Sequence, residues 1–283
     1  MIRGTPRADL ASQRQHSWAS KLVRGERISN GVYALAGFAI VAAVWQFIAV
    51  VVVARTLLFA SFTDTVQALY QLFVSGEIYP HLAISAQAFL YGYVAAVLLG
   101  IPFGAILAFN RPLDRMFRNV IQAGYATPLV AIAPLIIVLL GIGLISKIAV
   151  VFVLALFPIM IATQSALTSI DPSYPETARA FGASSVQNLR MVIFPAASLG
   201  VLTGLRLAVG RGIIGVVVGE FFGARAGLGF LLVQYSMAFQ TARTLAVVLL
   251  LAVIGVTANQ VLLAFEKKVS PWKIDKQRKR ARS

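Results

Sequence analysis

The stretch PETARAFGASSVQNLRMVIFPAA, residues 175–197, is a polar, amphipathic segment between two long apolar runs. Just before it, Asp171 or Ser173 can cap a short helix, and Glu176 lies three residues after Ser173, which completes a capping-box pattern. Gly182 then permits a left-handed bend at the end of that helix. The first half of the stretch therefore predicts a short, well-capped helix that ends at a glycine corner.

The second half of the stretch leads into the next apolar run. Ser184 or Ser185 can cap a second helix that runs to about Val192, and Pro195 suits the first turn of a following helix. A small apolar ridge at the corner is formed by Ala178, Phe181 and Ala183. The pattern predicts two short helices that lie along one face of a membrane and present this ridge to a soluble partner.

Apolar runs long enough to cross a bilayer recur along the chain. About 20 apolar residues cross the roughly 30 Å hydrocarbon layer as a helix. Five runs contain no Asp, Glu, Lys or Arg, and a sixth is interrupted only by Arg206 and Arg211. The prediction is an all-α polytopic membrane protein with six transmembrane helices. The predicted spans are about 31–54, 82–109, 119–141, 148–169, 196–219 and 244–265, within one membrane domain over 29–266.

Composition and charge agree with this class and predict an orientation. Of the 283 residues, 59% are hydrophobic and 12% are charged, and the net charge is +15; soluble domains carry about 25% charged residues. Most basic residues lie in an N-terminal arm (1–28), the loop after the second span, the loop 171–195 and a tail (267–283). The outer segments hold only Arg55, Lys147, Arg225 and Arg243. Both termini and the loop 171–195 are therefore predicted to be cytoplasmic, and topology explains the charge without nucleic acid.

The basic tail suggests a contact with membrane lipid. Its end reads KIDKQRKRARS, residues 273–283. Such a cluster beside a span attracts anionic lipid by about 1 kcal/mol for each Lys or Arg near the surface. Topology and solubility are the simpler interpretation of the same residues, so lipid is an expected partner without a specific site.

Prolines and charges inside the predicted spans are candidate pathway residues. Pro128 and Pro134 lie in the third span, where a proline kink serves either packing or a pathway. The fifth span carries Arg206, Arg211 and Glu220 among small residues. A charge at such depth should face protein or water. Arg206 therefore either pairs inside the helix bundle or faces a path and attracts an anion.

Motifs for chemistry are missing from the sequence. The chain has no cysteine and two histidines, and it contains no G-x-x-x-x-G-K-[ST] loop for ATP phosphates. We expect no catalytic site, no metal site and no cofactor in this chain. Any chemistry must then come from a partner.

The opening stretch resembles the EAA loop of bacterial ATP-binding-cassette importer permeases. The matching positions are Glu176, Ala178, Gly182, Ile193 and Pro195. Thr177 stands where the family's Glu-Ala-Ala has its first alanine. The stretches HLAISAQAFLYGYVAAVLLGIPFGAILAFN (81–110), PLIIVLLGIG (134–143), TGLRLAVGRG (203–212) and AGLGFLL (226–232) are similar to the branch that imports nitrate, taurine, aliphatic sulfonates and related small molecules. The resemblance covers about 62–264, and TPLVAIAPL (127–135) departs from the family's aromatic-rich AWLPL stretch.

This resemblance implies a type I importer permease in the bacterial inner membrane, working as a dimer, with two copies of the same chain preferred over two different permeases. It also implies two ATP-binding-cassette ATPase subunits on the inner side and a periplasmic or lipoprotein substrate-binding protein on the outer side. The substrate would be a small anion of the nitrate, sulfonate or taurine type. The residues that would couple to the ATPase are Glu176, Thr177, Ala178, Arg179, Phe181, Gly182, Ala183 and Pro195.

Two other classes of protein compete with this interpretation. A secondary transporter or channel driven by an ion gradient would need acidic residues inside the membrane, and the only acidic candidate is Glu220, at the outer end of the fifth predicted span. A purely structural subunit of a membrane complex is the third possibility. Co-purification of an ATPase subunit would discriminate between all three.

Overall fold

The computed structural model describes residues 32–33, 35–53, 59–222 and 224–269, with side chains up to Glu266. The predicted arm 1–28, the start of the first span and the tail from 270 onward lie outside these residues. All regular structure in the described part is helical. The helices are α1 (Leu35–Val53), α2 (Phe62–Val74), α3 (Ile78–Phe109), α4 (Arg111–Ala126), α5 (Leu129–Leu140), α6 (Leu144–Thr168), α7 (Ser173–Ala180), α8 (Ser185–Phe221), α9 (Leu228–Met237) and α10 (Thr241–Val269).

Five of these helices, α1, α3, α6, α8 and α10, are long and apolar enough to cross a membrane. A sixth candidate span is present if one bent pair of helices crosses as a unit. The third predicted span, 119–141, contains a sharp break in place of the expected proline kink. It consists of α4 and α5, which meet at an angle of 93°. The break follows from Pro128, because the residue before a proline avoids the helical region. Thr127 accordingly has φ −62° and ψ 136°, whereas Pro134 lies inside the continuous helix α5.

The described residues up to Val66 belong to a compact unit of their own. In this unit the Trp45 Nε1–H donates to the carbonyl of Ala60 at 3.1 Å, and the Trp45 ring lies edge-on to Phe62 at 5.6 Å. The Ser61 hydroxyl accepts from the N–H of Asp64 at 3.1 Å and caps the start of α2. A partly buried indole hydrogen bond thus joins α1 to Ala60, and a side-chain cap begins α2.

The second unit, from Gln67 onward, is organised around α6. α3 packs along it through small residues that recur every four positions. A Cβ on Gly92 would lie 2.7 Å from the carbonyl oxygen of Ile148, and one on Gly104 would lie 2.9 Å from Cβ of Thr163. Such close approach supplies the van der Waals contact that joins helices in lipid. The later contact residue on α3, Gly104, meets the later one on α6, Thr163, so the two helices run parallel.

α8 packs on the same helix in the opposite direction. Gly200 meets Ala166, and a Cβ on Gly215 would lie 2.9 Å from Cα of Val151. The bundle therefore has two ends. The α7 end carries the last residues of α3 and α6 together with α7. The α9 end carries the last residues of α8 together with α9.

At the α9 end a buried apolar cluster covers the bundle. It joins α9 to the C-terminal half of α2, the start of α3 and the start of α10. Its most buried members are Leu72, Ile78, Leu228, Leu231, Ala246 and Val247. The short helix α9 is therefore packed on its own chain and fixed in place.

Candidate functional site

The opening stretch forms a compact hook at the α7 end, which we call the α7 hook (residues 171–188). α7 ends at Gly182, whose φ is +81°. The N–H of Ala183 donates to the carbonyl of Ala178 at 3.0 Å, and the N–H of Gly182 donates to the carbonyl of Arg179 at 2.9 Å. This pair of bonds is a Schellman ending, which needs a left-handed residue at the Gly182 position. The predicted left-handed bend is confirmed.

Of the two residues predicted to cap α7, Asp171 accepts a backbone N–H at the start of the helix and Ser173 does not. Ser173 is already inside α7, so the predicted box between Ser173 and Glu176 is wrong. Instead Asp171 accepts the N–H of Ser173 at 2.9 Å, and this backbone hydrogen bond lowers the pKa of Asp171. Pro172 has helical φ and ψ and lies directly before the helix, so α7 starts at Ser173. Glu176 remains exposed in the first turn of α7. There its negative charge interacts favourably with the positive end of the helix dipole.

The capping box lies instead at the start of α8. The Ser184 Oγ accepts the N–H of Gln187 at 3.3 Å, and the Gln187 Oε1 accepts the N–H of Ser184 at 2.8 Å. Ser184 was one of the two predicted caps for this second helix. The reciprocal bonds satisfy two otherwise unpaired N–H groups and fix the direction in which the chain leaves the glycine bend.

The second helix of the hook is continuous with the fifth span. α8 runs from Ser185 to Phe221 and contains one π-helical turn, Leu189–Ile193. Pro195 lacks an N–H, and its ring would clash with the carbonyl of Met191 in a regular α-helix. The wider turn accommodates this proline without ending the helix. The prediction of a separate cytoplasmic helix before the span is therefore wrong.

Asn188 ties the two arms of the hook together. Its side-chain amide donates to the carbonyl of Pro175 at 3.0 Å, and the residue is buried. With this bond and the two caps, α7 is held against the start of α8. No local pattern in the sequence marks Asn188, because its partner Pro175 lies 13 positions away.

The outer surface of the hook is apolar at its corner. Phe181 is 88% exposed, beside the half-buried Ala178 and Ala183. Thr177 and Arg179 are exposed as well, while Pro195 is half-buried at the end of the π-turn. An exposed aromatic ring on a rigid support is the kind of anchor that fills a pocket on a partner protein.

The charged residues of the fifth span have different places in the structure. Arg206 forms an ion pair with Glu266 of α10 at 3.1 Å and donates to the Thr203 hydroxyl at 3.3 Å. Arg211 is exposed, and its guanidinium lies 5.5 Å from the centre of the Tyr125 ring. Of the two interpretations of Arg206, the structure favours pairing inside the bundle, while Arg211 remains on an open face.

The candidate prolines are also separated. Pro128 is exposed at the right-angle break between α4 and α5, whereas Pro134 is half-buried inside α5. Tyr125, which faces Arg211, lies three residues before Pro128. The structure thus brings Arg211 near the α4–α5 break and leaves Arg206 in a different contact.

Glu220 lies in a buried polar cluster with Lys147, Ser85 and His81, which we call the Glu220 cluster. Its carboxylate accepts from the Ser85 hydroxyl at 2.9 Å, from the N–H of Gly229 at 2.8 Å and from the Lys147 ammonium at 3.5 Å. Glu220 is 1% exposed. Glu220 is thus enclosed by its own chain and bonded, and its place on a translocation pathway stays a prediction.

The Glu220 cluster fixes the turn that precedes α9. The Lys147 ammonium also donates to the carbonyl of Ala226 at 2.6 Å, and the N–H of Gly227 donates to Nδ1 of His81 at 3.1 Å. Gly227 has φ +134°, and a Cβ there would overlap the Glu220 carboxylate. Only glycine fits this position. Sequence reasoning missed Lys147 as the partner, although a buried acid inside the membrane needs a nearby cation.

We expect Arg206→Gln to destabilise the folded protein. Glu266 would lose its counter-charge in a partly buried site, at a cost of about 1–3 kcal/mol. Thermal unfolding of the purified protein measures this loss. The charge swap Arg206→Glu with Glu266→Arg should restore part of it, and Arg211→Gln is the matched control because that side chain is exposed. An unchanged melting midpoint for Arg206→Gln, together with reduced transport, would contradict the structural role.

These features define a class of protein: a multi-pass helical membrane protein with the exposed α7 hook at one end and the packed short helix α9 at the other. The family of binding-protein-dependent transport system inner membrane components has a model that matches residues 100–271, and the chain belongs to this family. It is the permease subunit of an ATP-binding-cassette importer. Members of this family work with an ATPase and a substrate-binding protein.

Two curated relatives and one solved structure support this assignment. The putative aliphatic sulfonates transport permease protein SsuC of Escherichia coli (strain K12) is 32% identical over 232 residues, which is 82% of this chain and 88% of the relative. The taurine transport system permease protein TauC of the same organism is 30% identical, over 71% of this chain and 74% of the relative. An amino acid ABC transporter has the same fold, with a TM-score of 0.58 at 17% identity, covering 71% of this chain and 97% of that one. The predicted all-α type I permease fold is confirmed.

Proposed function

We propose that this permease carries a small organic anion of the sulfonate or taurine class, and that the partner ATPase docks on the α7 hook. The relatives named for sulfonates and taurine support the substrate class. The exposed guanidinium of Arg211 supports an anion, because it has no carboxylate partner within 4 Å among the described residues. ATP hydrolysis takes place in the partner, and this chain supplies the path.

The single observation that carries the docking role is the exposure of Phe181 on a support that is bonded throughout. Gly182, the Ser184 cap and Asn188 hold the ring at a fixed position. A partner that receives Phe181 therefore acts on α8 directly, because no flexible loop separates the hook from the span. If each permease copy binds one ATPase subunit through its hook, a permease dimer binds two ATPase subunits.

An uncovered stripe on α8 supports a second copy of the chain as the other half of the path. The stripe consists of Thr203, Leu207, Gly210, Arg211 and Ile214, all exposed and spaced for one helix face. Two identical stripes facing each other would enclose a path with one Arg211 from each copy. We propose a homodimer on this basis.

The substrate is tested with the reconstituted complex of permease, ATPase and cognate binding protein in proteoliposomes. Taurine or an alkanesulfonate, loaded on the binding protein, should stimulate ATP hydrolysis and accumulate inside, whereas a neutral pyrimidine should not. Arg211→Gln should reduce uptake while leaving complex assembly intact. Uptake of the pyrimidine alone would refute the anion assignment but not the docking role, which co-purification of the ATPase tests separately.

We propose that both termini and the α7 hook face the cytoplasm, as the basic residues predict. The native chain has no cysteine, so Ser185→Cys in the hook and Ser75→Cys after α2 give single labelling sites, both on exposed residues. In intact cells, a membrane-impermeant maleimide should label Ser75→Cys, and Ser185→Cys only after lysis. Labelling of Ser185→Cys from outside would contradict this topology.

A further inference from the structure

A basic cleft opens at the α7 end of the bundle, where α3 and α6 finish and α4 begins. Its volume is about 610 Å³. The polar lining consists of Arg111, Arg115, Arg118, Asp114, Asn119 and Thr168. A smaller cleft of about 230 Å³ continues from it and shares Arg118 and Thr168. None of these residues belongs to the α7 hook or to the stripe on α8.

The charges in the cleft do not cancel. Asp114 is the one acid in its lining, and it is engaged by Arg118 and by the Gln164 amide. Within the described part of the chain, no carboxylate lies within 4 Å of the guanidinium of Arg111 or of Arg115. The cleft therefore keeps two positive charges, beside the Asn119 amide as a further donor.

The position of the cleft corresponds to the headgroup level of a bilayer. Leu107 is the last buried apolar residue of α3, and α3 ends two residues before Arg111. Thr168 is the last residue of α6. Two apolar spans thus finish at the cleft, and a membrane-spanning helix finishes where the hydrocarbon layer meets the headgroups.

The first half of α4 has the composition of a helical segment that lies in this interface. Arg111, Arg115 and Arg118 occupy one side, while Met116 and Val120 are 69% and 64% exposed. The 93° break separates α4 from the direction of α5. Basic and apolar residues side by side on a helix at the end of spans favour contact with lipid over contact with a soluble protein.

We propose that this basic cleft binds a phosphate-type oxyanion: the headgroup phosphate of an anionic phospholipid, or free phosphate. Guanidinium groups bind tetrahedral oxyanions through paired, charge-assisted hydrogen bonds. Basic pockets between spans bind anionic headgroups in the same manner. The proposal is independent of the transported substrate and of the ATPase-docking role of the α7 hook.

The test uses the full-length chain, purified in neutral detergent, and measures its melting midpoint. Phosphatidylglycerol should raise the midpoint by roughly 2–4 °C relative to an equal amount of phosphatidylcholine, because a ligand bound to the folded state stabilises it. The double variant Arg111→Gln with Arg115→Gln should lose this difference. Arg179→Gln removes one exposed basic charge elsewhere at the same end and should keep it. Native mass spectrometry counts the phosphatidylglycerol retained by each protein.

Separate arms distinguish the two sources of the oxyanion. Potassium phosphate, compared with potassium chloride at equal ionic strength, should leave the midpoint unchanged if the ligand is a headgroup and raise it if the cleft takes free phosphate. If phosphatidylglycerol stabilises wild type and the double variant equally, the proposal is overturned. It is also overturned if the double variant retains lipid normally but loses the ATPase in co-purification, since the cleft would then be a protein contact. Should the double variant fail to fold, Arg111→Gln and Arg115→Gln singly, each on an exposed residue, give the same comparison.

Discussion

Glu220→Ala is expected to give the largest loss of stability of any single change considered, about 3–5 kcal/mol. The substitution leaves the Lys147 ammonium buried without a counter-charge and removes the acceptor for the Ser85 hydroxyl and the N–H of Gly229. Whole domains are stable by about 5–15 kcal/mol, so we expect low membrane levels and a strongly lowered melting midpoint. Thermal unfolding in detergent and quantitative immunoblotting of membranes measure both effects.

A double variant distinguishes the effect of an unpaired buried charge from the effect of changing the side chain at Glu220. Glu220→Gln with Lys147→Met removes both buried charges and should be more stable than Glu220→Gln alone, because the latter leaves one charge unpaired. Glu176→Gln, which changes an exposed acid, is the control and should melt like wild type. Equal stability of Glu220→Ala and wild type would contradict the buried ion pair.

Gly182→Val is expected to abolish coupled transport while leaving the protein in the membrane. The φ of +81° at this position is strained for any β-branched residue, and such strain costs about 1–3 kcal/mol. A Cβ at Gly182 meets no atom within 4 Å, so the effect is on the bend and not on packing. Relieving the strain rotates the ridge around Phe181, which should weaken ATPase docking and reduce substrate-stimulated ATP hydrolysis to the basal rate.

Neighbouring variants make the Gly182 prediction specific. Gly182→Asn should retain much of the activity, because asparagine tolerates the left-handed region. Ala180→Val adds a side chain of the same size at an exposed, helical position of the hook and should retain ATPase binding. Phe181→Ala should weaken docking without strain. If Gly182→Val co-purifies the ATPase and transports like wild type, the docking role of the hook is wrong.

The membrane class and the position of the hook were predictable because they depend on local features of the sequence. Runs without charges indicate spans by length alone, and a glycine after a helical segment indicates a left-handed ending. The break at Pro128 was underestimated, since the same local signal, a proline in an apolar run, also describes Pro134, around which α5 stays continuous. The structure separates the two prolines by backbone conformation, since Thr127 is extended and the residues around Pro134 are helical, and the sequence does not display this difference.

The partners of the charged residues could not be predicted either, because local sequence signals do not report contacts between distant residues. Lys147 meets Glu220 across 73 positions and Arg206 meets Glu266 across 60, and nothing local specifies either pairing. The capping box was assigned to Ser173 because its spacing to Glu176 is correct. Ser184 and Gln187 have the same spacing, and only the backbone angles decide between them.

Because α8 is one continuous helix, its two ends can move together as a rigid rod. Its 37 residues span about 55 Å at 1.5 Å for each residue. Near its middle, Gly204 and Gly212 rest on neighbouring helices at close contact, which is where a pivot would sit. A tilt of about 5° around that point displaces each tip by roughly 2 Å, in opposite directions. A push on the hook that tilted α8 about this point would therefore move Glu220, and the turn before α9, in the opposite direction.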